Sequence, residues 1–179
     1  KKVYLLLFLA VNISVSAQKE NTYYKEIDVK LANKQFTDFK IDIPENWFSY
    51  NTDPGMMAHS PNEFKGRVSP NDLAVSFIVH KKNIKRKNLE KSLKNFLGFQ
   101  KQFYDKFNYE LFEGNHKKYG KYYIVKYAQD TKGGKEIVLL SIFNWKKHIY
   151  HLYYSSDEFN YDKYLIAATR MINSFEIKE

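Results

Sequence analysis

The sequence predicts a single α+β domain in which antiparallel strands outnumber helices. Two observations carry this prediction: apolar residues recur at helical spacing over residues 88–107, and strand-like runs separated by short turns follow between residues 109 and 155. A second helical pattern then closes the chain. Because no internal repeat, low-complexity segment or linker divides residues 18–179, we expect one domain, long enough to bury a core.

The first part of the chain predicts an opening hairpin. Residues 24–31 alternate between polar and apolar in the manner of a strand, and Asn33-Lys34 indicates a turn. Phe36–Ile43 predicts the second strand. Pro44 ends it, because proline has no N–H to donate to the β ladder.

Residues 49–71 form the least regular stretch and predict a long loop. They hold three of the four prolines, and long loops in small domains are often functional, so this loop is a candidate binding surface. Within it, Met56-Met57-Ala58 has the composition of a short strand. Residues 73–80 are apolar on both faces, which predicts a central strand covered on both sides.

Residues 88–107 give the clearest helix of the chain. Asn88 is a suitable N-cap, and Glu90 and Lys94 form a favourable pair four residues apart. The apolar stripe that should face the sheet consists of Leu89, Leu93, Phe96, Leu97, Gln100, Phe103 and Phe107.

Four antiparallel strands are predicted next. The signals are alternating runs and glycine-containing turns at Gly114-Asn115 and Gly133-Gly134, and the predicted strands cover 109–113, 121–129, 136–145 and 149–155. Ser155 and Glu158 have capping-box spacing and predict the start of a closing helix that runs to about Asn173. The apolar face of that helix comprises Tyr161, Tyr164, Leu165, Ala168, Met171 and Ile172.

Short motifs accompany this order of elements. Phe39–Trp47 is a strand ending in Pro-x-x-Trp, residues 171–175 end the last helix in Ser-Phe, and tyrosine-rich runs at 122–127 and 149–155 fit the meander. Together they resemble the PsbP-like family over about residues 23–178. The resemblance implies an antiparallel sheet with helices packed on both faces, an α/β/α sandwich, and a non-enzymatic binding or assembly role. Trp47 and Phe175 are interpreted as core residues.

Residues 1–17 have the layout of a secretory signal peptide. Lys1 and Lys2 are followed by a largely apolar run from Val3 to Val15, and small residues precede an expected cleavage before Gln18. The apolar run is too short for a transmembrane helix, which needs roughly 20 residues. With no cysteine in the chain, disulfides and a lipid-modified cysteine are excluded. We therefore expect a periplasmic or secreted protein without a transmembrane segment after cleavage.

The net charge of +9 favours anionic partners. Specific nucleic-acid binding is not predicted, because the chain has only three arginines, Arg67, Arg86 and Arg170, and arginine is the residue suited to bidentate recognition of phosphates and bases. The strongest charge feature is a basic segment between the central strand and the helix. It is either a solvated connection or a docking site for an acidic partner or an anionic membrane surface, and its candidate partner-binding residues are Lys81, Lys82, Lys85, Arg86 and Lys87.

No catalytic, metal-binding or cofactor-binding motif is present. The sequence lacks HExxH, GxSxG and a phosphate-binding glycine loop, and His148 and His151 are spaced to point to opposite faces of one strand. The tyrosine-rich strands suit either a carbohydrate- or protein-binding surface or, more simply, a packed core. We therefore predict that the chain is not an enzyme and has no cofactor.

The leading hypothesis is an exported, non-catalytic protein that binds another protein of the cell envelope or assembles with it. One alternative is a carrier that holds a small apolar ligand between sheet and helix, near residues 49–71 and 88–107. Another is an immunity-type inhibitor of an exported toxin, which would use a concentrated surface patch.

Overall fold

The computed structural model describes residues 30–53, 55–60, 76–83, 88–104, 107–116, 118–131, 134–158 and 160–178. These residues form ten strands and two helices, and every strand pair is antiparallel. The predicted signal peptide, most of the predicted strand at 24–31, and Lys85, Arg86 and Lys87 lie outside the described residues.

The strands form two sheets. In chain order the elements are β1 (Leu31–Gln35), β2 (Phe39–Pro44), β3 (Phe48–Thr52), β4 (Gly55–His59), β5 (Ser76–Asn83), α1 (Leu89–Phe103), β6 (Tyr109–His116), β7 (Gly120–Thr131), β8 (Gly134–Trp145), β9 (His148–Asp157), α2 (Tyr161–Ser174) and β10 (Glu176–Ile177). The smaller sheet has the order β1-β2-β10, and the larger has the order β3-β4-β5-β9-β8-β7-β6.

The opening hairpin exists, but its turn is not where the sequence predicts. Asn33 and Lys34 lie inside β1 and pair with β2, and the chain reverses at residues 36–38, where the Phe36 N–H donates to the Phe39 carbonyl at 2.9 Å. The side chain of Asn33 also donates to Asp42 across the strands at 2.8 Å. Cross-strand pairing thus overrides the local turn preference of this dipeptide.

The predicted loop at 49–71 is partly a second hairpin. β3 and β4 pair from Phe48↔His59 to Thr52↔Gly55, so the short strand expected around Met56 is confirmed and extended. Residues 61–75 lie outside the described part of the chain. Gly55 is needed at the turn, because it has φ +153° and an added Cβ would lie 1.8 Å from the Val79 carbonyl oxygen.

The strand predicted at 73–80 is observed as β5 in the interior of the larger sheet, between β4 and β9. The expectation of full cover on both faces is wrong. Phe77 and Val79 are buried, whereas Ile78 is half-buried and His80 is exposed. One face of β5 is therefore tightly packed and the other is partly open.

Helix α1 begins where the sequence predicts. The Asn88 side chain accepts a hydrogen bond from the Lys91 N–H at 2.7 Å, which is the expected capping geometry. The helix ends at Phe103, four residues before the predicted end. Of its apolar stripe only Leu93 and Phe96 are buried, and Phe103 is 65% exposed.

The meander and the closing helix are observed with longer strands than predicted. β6 continues through Gly114 and Asn115, so the turn predicted there is wrong. Ser155 lies within β9 and does not cap a helix. Instead α2 begins at Tyr161, and the Asp157 carboxylate accepts the Asn160 N–H at 2.9 Å just before it.

The buried residues form two clusters. One contains the three-stranded sheet and α2, together with Trp47, Phe175 and Leu152. The other contains Leu93 and Phe96 of α1. Residues of β8 and β9 alternate between the clusters, since successive side chains of a strand point to opposite faces. Trp47 (5% exposed) and Phe175 (3% exposed) are core residues, as the sequence indicated.

Candidate functional site

The structure describes two of the five candidate partner-binding residues, Lys81 and Lys82. Lys81 forms an ion pair with Asp38 at 2.9 Å and is largely covered. Because Asp38 lies in the β1–β2 turn, this pair links the small sheet to β5 and gives Lys81 a structural role. Lys82 is exposed.

The fold brings two more lysines to this end of the larger sheet. Asn83, at the end of β5, pairs with His148, the first residue of β9. The turn before His148 consists of Lys146 and Lys147, both exposed, with Lys146 in the left-handed conformation at φ 53°. We call Lys82, Lys146 and Lys147 the basic end. Their clustering depends on β5–β9 pairing and could not be read from the sequence.

The electrostatics of the basic end match its composition. Among the described residues, no carboxylate forms an ion pair with any of its three lysines. The pKa of the neighbouring His148 is lowered, mainly by burial and further by the charge of Lys81, although Asp38 opposes the shift. This end of the sheet therefore carries surplus positive charge.

Within the described residues, no three histidine or carboxylate side chains come together in a way that could hold a metal ion. His148 and His151 both lie on β9 at odd spacing, as expected, with their side chains toward opposite faces. The tyrosine-rich strands are mainly core: Tyr123, Tyr127, Tyr150 and Tyr154 are buried.

A second feature is an open cleft of about 410 Å³ between the end of α1 and the larger sheet, called here the aromatic cleft. Its volume falls within the range of small-molecule sites. It lies beside the phenylalanine-rich helix, where a ligand pocket was expected, but no described residue of 49–60 lines it. The lining residues are Ile78, Phe99, Gln100, Phe103, Tyr104, Tyr127, Gln129, Glu136, Val138, Tyr153 and Ser155.

The outer wall of the aromatic cleft is apolar and exposed. Phe99 and Phe103 are adjacent on α1, with ring centroids 4.6 Å apart and exposures of 56% and 65%. They lie one helical turn apart, so both rings project on the same side. The helix thus presents aromatic surface that the domain does not bury.

The opposite wall is polar. The Tyr104 hydroxyl donates to Gln129 Oε1 at 3.0 Å, and Gln129 Nε2 donates in turn to the Glu136 carboxylate. Gln129 and Glu136 face each other across the β7–β8 pair, which holds this chain of hydrogen bonds in place. Ser155 is hydrogen-bonded to Ser76 at 2.8 Å. The polar groups converge on the interior of an otherwise apolar cleft.

The two tyrosines on the floor of the cleft are neutral phenols at physiological pH. Burial raises the pKa of Tyr153 to about 12. Burial also raises the pKa of Tyr127, with smaller contributions from Tyr153 and Glu136. Among the described residues, Glu136 is the one acidic residue of the lining.

Sequence reasoning identified Phe103 and Gln100 as part of the α1 stripe but missed Phe99, Gln129 and Glu136. Phe99 is an apolar residue outside the stripe, and this position was the one local sign that α1 has aromatic surface away from the core. Gln129 and Glu136 become a pair only through the β7–β8 register. In the described part of the chain, neither helix has the length and apolar character required to cross a membrane.

Comparison with solved structures identifies the architecture. Cyanobacterial PsbP (CyanoP) from Synechocystis sp. PCC 6803 matches with a TM-score of 0.60 and 11% identity, over 89% of this chain and 99% of that one. LpqN, involved in cell envelope biogenesis of Mycobacterium tuberculosis, matches with a TM-score of 0.59 and 10% identity, over 88% and 100%. PA94 of Pseudomonas aeruginosa, a protein of unknown function and putative regulator, matches with a TM-score of 0.57 and 9% identity, over 80% and 94%.

At the level of sequence, no protein-family model matches the chain and no curated protein matches it. The likeness to the solved structures therefore concerns the fold alone. It agrees with the motifs at Pro44–Trp47 and Ser174-Phe175, whose aromatic residues Trp47 and Phe175 both lie in the first core cluster. The chain has a PsbP-like fold, built from mostly antiparallel strands in two sheets with two helices.

Proposed function

We propose that this protein is an exported, non-catalytic binding protein of the cell envelope that docks an acidic partner protein through its basic end. The observation that carries the proposal is the clustering of Lys82 with Lys146 and Lys147, with no described carboxylate paired to them. Surplus charge on one surface attracts an oppositely charged partner and accelerates its association. The sequence places Lys85, Arg86 and Lys87 directly after β5, adding to the same charge.

Two further observations support the envelope setting. Residues 1–17 have the composition of an export signal. LpqN, which shares the fold, is a protein involved in cell envelope biogenesis. In this proposal α1 and α2 cover opposite faces of the larger sheet, which fits their membership of two clusters that share alternate residues of β8 and β9.

The test is native mass spectrometry of the protein purified from its own envelope fraction. We expect a partner of fixed stoichiometry whose association weakens as salt rises, and a mature mass that begins at Gln18. Changing Lys82, Lys146 and Lys147 together to glutamate should remove the partner. The matched control changes Lys91, Lys94 and Lys101 to glutamate. These are exposed lysines of α1, and this variant should retain the partner.

Both triple variants alter the net charge equally, so they separate a specific surface from a general charge effect. Equal loss of the partner in both variants would contradict a dedicated docking surface at the basic end. Retention in both would exclude these three lysines from the interface. Circular dichroism of each variant would confirm that the fold is intact.

A further inference from the structure

The aromatic cleft contains a carboxylate without a cationic partner. The Glu136 carboxylate accepts a hydrogen bond from the neutral Gln129 amide, and within the described residues no lysine or arginine lies at ion-pair distance from it. By contrast, Glu113 and Glu110 of β6 form ion pairs with lysines of β7.

The position of Glu136 is fixed by the sheet. Glu136 lies on β8, opposite Gln129 on β7 and Asp157 on β9. Because Gln129 already accepts from Tyr104 through its oxygen, its amide nitrogen points to Glu136 and holds one carboxylate oxygen. The second oxygen, Oε1, has no partner among the described residues, so it can accept a hydrogen bond from a ligand.

The aromatic residues around this carboxylate favour a cation over a neutral ligand. Phe99 and Phe103 form the outer wall, and Tyr104, Tyr127 and Tyr153 are the other aromatic residues of the lining. Aromatic faces carry negative electrostatic potential and attract ammonium groups, and several rings beside a carboxylate form a typical ammonium-binding environment. The same rings supply apolar contact for the body of such a ligand.

We propose that the aromatic cleft binds a small organic ammonium ion with an aromatic or apolar body. The juxtaposition of Glu136 with Phe99 and Phe103 carries the proposal: the ammonium group lies against Glu136 and the body of the ligand packs on the two phenylalanine rings. A cleft of about 410 Å³ accommodates a ligand of this size. This site is separate from the basic end, and neither proposal depends on the other.

The test uses three probes that share a phenylethyl body and differ in the charge of the end group, at pH 7 with the full chain. These are 2-phenylethylammonium, the neutral 2-phenylethanol and the anionic 3-phenylpropanoate, each titrated while amide NMR signals are recorded. We expect the cation to bind about tenfold more tightly than the alcohol, as one charge-assisted hydrogen bond predicts, and the anion not to bind. The signals that shift should include the side-chain amides of Gln129 and Gln100.

Two variants separate the contribution of the Glu136 charge to binding from that of the Phe103 ring. Glu136→Gln preserves the shape and the hydrogen bond with Gln129, so it should abolish the preference for the cation while leaving the alcohol unchanged. Phe103→Ala should weaken both ligands about equally. The matched control is Glu113→Gln on β6, which removes the same charge from a carboxylate opposite Tyr123, toward the other end of β7, and should have no effect on binding.

Several results would overturn the proposal. It fails if the alcohol binds as tightly as the cation, if none of the probes binds, or if Glu136→Gln retains the charge preference. A fourth probe, lysine blocked at both backbone ends, tests a different occupant. Tighter binding of this probe than of phenylethylammonium would assign the cleft to a lysine side chain of a partner protein and reject a small ligand.

Discussion

The two helices differ in how completely the domain uses them. α1 and α2 have 15 and 14 residues, but α2 buries five side chains whereas α1 buries only Leu93 and Phe96. The second half of α1 instead leaves Phe99 and Phe103 exposed above the sheet. A helix that is packed along its whole length contributes to stability, and one that is packed over half its length leaves a cleft beside it.

The reason lies in how each helix ends. α2 is followed directly by β10, which pairs with β2, and the Asp42 N–H donates to the Ser174 hydroxyl at 2.9 Å. The end of α2 is therefore tied to the small sheet. α1 ends at Phe103, and the hydroxyl of the next residue, Tyr104, donates to Gln129 at the margin of the cleft. At the end of α1, the hydrogen bond between Tyr104 and Gln129 spans the cleft, and the helix does not pack closely on the sheet there.

The largest expected difference in stability is between two phenylalanine-to-alanine variants, one next to α2 and one on α1. Phe175→Ala, directly after α2, removes a ring that contacts Phe39, Tyr150 and Phe143 in the first cluster, and should lower the free energy of unfolding by about 3–5 kcal/mol. Phe103→Ala on α1 removes a mainly solvated ring and should change it by less than about 0.5 kcal/mol. Urea unfolding of both variants measures the difference. Similar losses would show that α1 packs as completely as α2.

A pH effect of intermediate size is expected from the α1 face of the sheet. Burial, followed by the charges of His80 and Lys82, lowers the pKa of His151 to about 4, and its Nε2 is buried without a hydrogen-bond partner. Below pH 6.5 the unfolded chain binds a proton that the folded chain does not. Stability therefore decreases as the pH is lowered. Between pH 7.5 and pH 5, this one group lowers the free energy of unfolding by about 2 kcal/mol.

The measurement is urea unfolding at the two pH values, repeated with His151→Asn. Asparagine does not titrate in this range, so the variant should lose about 2 kcal/mol of the pH dependence while keeping the smaller contributions of His59, His116 and His148, whose pKa values are also lowered. An unchanged pH dependence in the variant would mean that His151 is solvated in the folded protein.

Short sequence patterns predicted most helices and strands correctly. They failed where pairing with a distant strand determined the local structure. The Asn88 cap was predictable because its hydrogen bond to the Lys91 N–H spans three residues. The apparent capping box at Ser155 failed because β9 stays paired with β8 as far as Asp157. A long-range ladder of backbone hydrogen bonds outweighs one side-chain cap.

The candidate sites were less predictable than the fold for the same physical reason. The basic segment was visible as a run of charges, but Lys146 and Lys147 join Lys82 only because Asn83 pairs with His148. In the aromatic cleft, Gln129 and Glu136 form a pair through strand register, and Phe99 matters because α1 stops packing before its end. Strand register and helix packing are properties of the tertiary structure, and they cannot be read from a single sequence.

The smallest predicted effect tests the point where α1 changes from packed to open. Gly98 lies in the helix just before Phe99, and an added Cβ would meet nothing within 4 Å. Gly98→Ala should therefore raise the free energy of unfolding by about 0.5–1 kcal/mol, because alanine loses less backbone entropy in a helix. The matched control is Gly55→Ala in the tightly packed β3–β4 turn, where the Cβ would collide with the Val79 carbonyl oxygen and lower stability. Thermal unfolding should show opposite signs for the two variants, and destabilisation by Gly98→Ala would mean that this surface of α1 is covered.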